Sequence, residues 1–193
     1  MLHRFPLTAV AALLLLAPGT ALAQTTASSE IDLSSTVVAS CGVGAPSLTV
    51  LDLHELSGPD GRLDPSKRSS NTLASTTIAD AWCNAPNRLT FGTKPMTLQE
   101  TRAYAQPAYM ARDITYDATL VGWGPFDTTR RPHTGDDSVS LASSHPYATS
   151  SSGLVLNISK LETMTAGKVE DPSLMLEAGH YKGTVTITLT TVN

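Results

Sequence analysis

The chain has 193 residues, with 13 basic and 17 acidic side chains and only 16% charged residues. That length holds one domain with a real core, and a mildly acidic balance lacks the basic footprint that nucleic-acid binding needs. Abundant Ser and Thr with few charges is the composition of an exported, β-rich protein, because Thr suits a pleated surface.

In chain order, Met1–Ala23 has a short basic start (His3, Arg4), an apolar run from Leu7 to Ala17, a break at Pro18-Gly19 and small residues before Gln24. This is the pattern of a secretory signal peptide. The run is shorter than the roughly 20 residues that span a bilayer, and no later segment is long and apolar enough to do so. The mature chain, 24–193, reads as a single β-sandwich domain. Removing Arg4 leaves 12 basic against 17 acidic side chains, a net charge of −5. The two cysteines, Cys41 and Cys83, are read as one disulfide, since the chain is exported and the cysteine count is even. They lack the C-x-x-C spacing of a metal or redox pair.

After the polar start QTTASSE, the residues Ile31, Leu33, Ser35, Val37 and Ala39 alternate into Cys41 and predict a strand. Leu48–Leu53 predicts a second short strand, and the turn-forming run 57–71 a surface loop. The stretch 75–83 predicts a strand with Thr77, Ala79, Ala81 and Cys83 on one face. Ile78, Asp80 and Trp82 take the other. RLTFGT follows as a strand. LQETRAYA is the one stretch that could form a helical turn. Asp113–Trp123 alternates, with Ile114, Tyr116, Ala118 and Leu120 on one face. Residues 124–152 predict a long loop region, and GLVLNISKL a strand. The chain then turns at Ala178-Gly179 into the cleanest strand of all. There Tyr181, Val185, Ile187 and Leu189 face one way and four threonines the other. Short strands, turn signals and almost no helix periodicity predict an all-β sandwich.

No residue pattern calls for a cofactor, a catalytic group or a metal. The five histidines have no H-E-x-x-H spacing, and no serine sits in a G-x-S-x-G elbow. His133 and His145, near Asp136 and Asp137, read as solvated loop residues. Trp82 and Trp123 lie where aromatics cap a core edge, or less often form a carbohydrate platform.

Three stretches together resemble chaperone–usher pilin subunits, in particular the spore coat U-type branch: TVVASCGVGAPSLTV, TTIADAWCNAPNRLTF and LEAGHYKGTVTITLT. The resemblance implies an immunoglobulin-like sandwich lacking its final strand, with Cys41–Cys83 joining the ends of the first two strands. Gly179 and Tyr181 would form the corner that opens the last strand. Tyr181, Val185, Ile187 and Leu189 would border a groove, filled first by a periplasmic chaperone and then by the N-terminal arm of a sibling subunit. That arm would lie between Gln24 and Ser35, where only Ile31 and Leu33 are suited to it. The expected function is a non-enzymatic structural or adhesive surface subunit, assembled by donor-strand complementation into a fimbria-like fibre or coat. The alternative is a self-complete periplasmic or secreted binding module that uses 124–152, with Trp123 and Tyr147.

Overall fold

The computed structural model describes residues 33–124, 127–133, 137–149 and 152–192; the expected signal peptide and Ile31 lie outside them. Among the described residues the elements are β1 (Cys41–Gly42), a 3-10 turn (Pro65–Arg68), β2 (Thr72–Ile78), β3 (Trp82–Cys83), β4 (Asn87–Leu98) and β5 (Met110–Ala111). They continue with β6 (Asp113–Val121), β7 (Thr128–Arg130), β8 (Asp137–Ser143), β9 (Tyr147–Ala148), β10 (Leu154–Met164), β11 (Met175–Leu176) and β12 (Tyr181–Thr191). The fold is the expected all-β sandwich. It is built in the unit that runs from Val37 to the end of the chain.

The main sheet runs β12-β4-β6-β10-β2, with β8 also paired to β4 and β7 to β6, all antiparallel. β4 joins the two layers. Its first half lies between β12 and β8, and its end pairs with β6. The change happens at a bulge, where Pro95 and Met96 together stand opposite Gly183 of β12. A proline has no N–H to give a ladder, so a bulge is where a strand tolerates one. Tyr116 of β6 reaches the same place, its hydroxyl 2.7 Å from the Lys94 carbonyl and 3.3 Å from that of Thr184. Burial pushes this phenol up to about 12. Gly183 is required by close approach: a Cβ there would lie 2.8 Å from Met96 Cγ and 3.2 Å from the Tyr116 ring.

Inward side chains of both layers form one core, with Leu89, Phe91, Ile114, Ala118, Leu120 and Leu154 fully buried. A smaller sheet, β1-β3-β9, closes one end, and the Cys41–Cys83 disulfide (S–S 2.05 Å) joins β1 to β3. β5 and β11 pair in parallel at the other.

Several expectations give way. The alternation from Ile31 to Cys41 makes no long strand: among the described residues, Leu33–Ser40 has no ladder and only Cys41–Gly42 pairs. Alternation needs a partner strand to become a strand. Leu48–Leu53 is likewise outside any ladder. The stretch 75–83 is broken by Asp80, whose φ of +54° ends β2 and re-aims the chain. The side facing inward therefore changes, from Thr76 and Ile78 to Ala81 and Cys83. LQETRAYA forms no helical turn. The region 124–152 holds β7, β8 and β9 rather than a loop alone. β8 escapes a pattern search because only Val139 and Leu141 are large and apolar in a serine-rich run.

Candidate functional site

The most distinctive surface is the outer edge of β12. β12 is a strand because its apolar and threonine residues alternate over 11 positions. Among the described residues it pairs only with β4. Two bonds fix the phase of that ladder: the Val192 N–H donates to the Pro86 carbonyl (2.8 Å), and the Gln99 N–H to the His180 carbonyl (2.9 Å). With Thr191 opposite Asn87 and Tyr181 opposite Leu98, both ends belong to the wide, non-bonded class of pairs. The even residues, Thr184 to Thr190, therefore bond to β4. The N–H and C=O groups of Val185, Ile187 and Leu189 point to the free edge. The same residues turn their side chains inward, where they are half-buried, against complete burial for Leu89 and Phe91 directly opposite on β4.

Beside that edge runs a groove of about 1290 Å³. Its floor is apolar: Ile78, Met96, Leu156 and Ile158. Its far wall is a strap, residues 43–57. The strap is tied to β2 at one end, where Ser47 N–H meets the Thr77 carbonyl (2.7 Å) and the Thr76 hydroxyl serves both backbone groups of Leu48 (2.9 and 3.1 Å). At the other end Lys67 Nζ donates to the Leu53 carbonyl (2.7 Å), and Asp64 N–H to that of Leu56 (2.9 Å). Leu51 and Leu53 pack toward the core. Among the described residues, the backbones of Thr49, Val50 and Leu51 make no hydrogen bond. The groove is thus apolar below and lined on both sides by unpaired backbone.

The corner where β12 begins is held rigidly. Gly179 has φ +150°, and a side chain there would run into Glu100 and Leu98. The Tyr181 hydroxyl donates to the carbonyls of Ala111 (2.9 Å) and Glu177 (2.8 Å), and burial pushes this phenol up. The Glu177 carboxylate is buried and receives Arg112 Nε (2.6 Å), Arg102 Nε (2.6 Å) and the Tyr104 hydroxyl (2.8 Å). Arg112 is the main cause that holds this carboxyl below the usual range. Arg102 also bonds the Ala178 carbonyl. His180, first through its ring and then through its backbone N–H, lowers the Glu100 carboxyl in the same way.

No protein-family model matches the chain, and no curated protein matches it. What the site can do is therefore read from its geometry.

The sequence-predicted residues sort clearly. Tyr181, Val185, Ile187 and Leu189 share one face and pack on the core; Tyr181, Val185 and Ile187 line the groove, and Leu189 lies beyond its lining. Cys41 and Cys83 are bonded. Leu33 is 95% exposed, and its expected arm partner Ile31 lies outside the described residues. Trp123 is in the core, with its ring 4.7 Å from that of Tyr147 in an edge-on contact, so these two form no open platform. Trp82 departs from the core reading: it points away from buried Cys83, as a regular strand requires, and stands 40% exposed. His133 and His145 are not brought together with Asp137. His133 pairs with Glu170 (2.8 Å), Asp137 with Arg130, and the His145 carbonyl accepts from Asn87 (2.9 Å). Asp136 lies outside the described residues.

Pattern reading missed the strap and the Glu177 cluster. The strap left a faint trace in Leu51 and Leu53 two apart. Arg102, Arg112 and Glu177 left none, because their meeting is purely tertiary.

Proposed function

We propose that the chain is an exported structural or adhesive subunit that takes up a β-strand from another polypeptide and assembles into a fimbria-like fibre or coat, with no catalytic step. The observation that carries this is the free edge of β12, whose outward backbone groups border an apolar groove with unpaired backbone on its far side. Such an edge is a template for pairing. An acyl chain would cover the apolar floor but leave the N–H and C=O groups of both walls without partners, which is costly away from water. A peptide in extended form satisfies both at once: its backbone completes the ladder, and alternate side chains fill the groove.

The disulfide fits an oxidising compartment, and no described helix is long and apolar enough to cross a membrane. In this reading the partners are sibling subunits, with a chaperone holding the groove until assembly, and the segment around Ile31 and Leu33 is the arm.

Amide hydrogen exchange tests the reading residue by residue. In the free chain the amides of Val185, Ile187 and Leu189 exchange fast, while those of Thr186 and Thr188, bonded to β4, are slow. Assembly should slow the first set strongly and leave the second set nearly unchanged. Assembly without new protection at Val185 and Ile187 would reject strand uptake.

A further inference from the structure

A second apolar surface lies where the expected arm leaves the body. The Trp82 indole rests over Gly42, where a Cβ would come within 2.7 Å of the ring nitrogen. Trp82 itself is 40% exposed, and the chain that leads into β1 carries Val37 (81% exposed) and Val38 (78%). Gly42 and Trp82 are paired across β1 and β3, and Val38 is held to the end of β3 through the Asn84 side chain. The root of the arm is fastened beside it. The Asn84 side chain accepts from Ser40 N–H (2.7 Å) and donates to the Val38 carbonyl (3.0 Å), and its own N–H donates to the Ser40 carbonyl (3.0 Å).

That fastening restricts what covers the patch. Leu33 is the last apolar residue of the expected arm, and only five steps of chain separate it from Val38. Fully extended, they reach about 17 Å. A body of this size has a radius of gyration of about 15 Å. A copy that holds the arm in its groove is thus unable to stand clear of the neighbour that supplies it. The two bodies meet at the arm's root, where exposed Trp and Val gain most from leaving water.

We infer that Trp82, with Val38 beside the arm's root, is a contact surface for a second copy of this chain, namely the copy whose groove receives the arm. The inference rests on the strand-uptake reading and adds a body-to-body contact that a free strand would not make. It gives the assembly a fixed angle between subunits, where an arm alone would act as a flexible tether.

Tryptophan fluorescence separates the two claims. The chain has two tryptophans, and Trp123 is 1% exposed, so changes on assembly report Trp82. The monomeric chain is compared with the same chain plus a synthetic peptide of residues 24–36, and with the self-assembled chain. The peptide should protect the Val185 and Ile187 amides without moving the emission. Assembly should shift the emission to the blue and reduce acrylamide quenching several-fold. Trp82→Ser should bind the peptide as the natural chain does, while its assemblies dissociate on the order of tenfold faster. Assemblies with unchanged emission and quenching, or Trp82→Ser assemblies as durable as the natural ones, overturn the contact. If the peptide protects nothing and the chain does not assemble, strand uptake itself falls, and the contact with it.

Discussion

β4 and β12 are adjacent strands of nearly equal length, with the same alternation and a common ladder, yet their inward side chains differ. Leu89 of β4 is fully buried; Leu189, directly opposite on β12, is half-buried. Chemistry and secondary structure are the same for both. Only the number of neighbours differs: β4 has a strand on each side and β12 has one among the described residues. Burial of a strand residue is therefore a property of the sheet around it, and an apolar strand with one flank open carries unused capacity for binding.

The experiments that probe this contrast run from large effects to small. Replacing both Cys41 and Cys83 with Ser opens a closure of 42 residues and should lower stability by about 4 kcal/mol in the chain-entropy account. Urea unfolding measures it, and the gap between β4 and β12 variants should survive the change. Leu89→Ala should cost about 3–5 kcal/mol, as for a core leucine. Leu189→Ala should cost about 1–2 kcal/mol in the free chain, because less area is lost from the core. The second value should rise toward the first when a strand pairs with the outer edge of β12. Equal costs in the free chain would mean that the flank is already covered.

Tyr116→Phe removes the hydroxyl that serves Lys94 and Thr184 at the β4 bulge, and should cost about 1 kcal/mol by thermal or urea unfolding. The acid limb of stability gives the smallest signal at neutral pH. Glu177 is held below its ordinary pKa by Arg112 and its other partners, so its contribution is complete above the unfolded value. It is lost as pH falls through the lowered folded value. Urea midpoints followed from roughly pH 6 to pH 3 should fall on acidification, and Glu177→Gln should flatten that fall. A Glu177→Gln chain with an unchanged acid limb would assign the sensitivity to other carboxylates, such as Glu170 beside Arg131 and His133.

Periodicity served best where strands are long and two-faced. The sets Ile114, Tyr116, Ala118, Leu120 and Tyr181, Val185, Ile187, Leu189 were legible because each faces one core along its whole length. It served worst where conformation is decided by a single dihedral or a distant partner. Asp80 turns β2 into β3 through a positive φ that its identity alone does not announce. The segment 33–40 alternates and still forms no ladder: among the described residues its backbone-to-backbone bonding is limited to the Ser40 carbonyl, which accepts from Asn84 N–H.

The sequence by itself determined the fold class, the pairing of two lone cysteines and the face that β12 turns inward, because these depend on local period, count and compartment. Tertiary structure alone decided that β12 pairs on one side only among the described residues, that the strap forms the groove's far wall, and that Glu177 gathers Arg102 and Arg112 from 75 and 65 residues away. The physical reason is that a ladder and an ion cluster are relations between distant segments, and no local pattern records which segments meet.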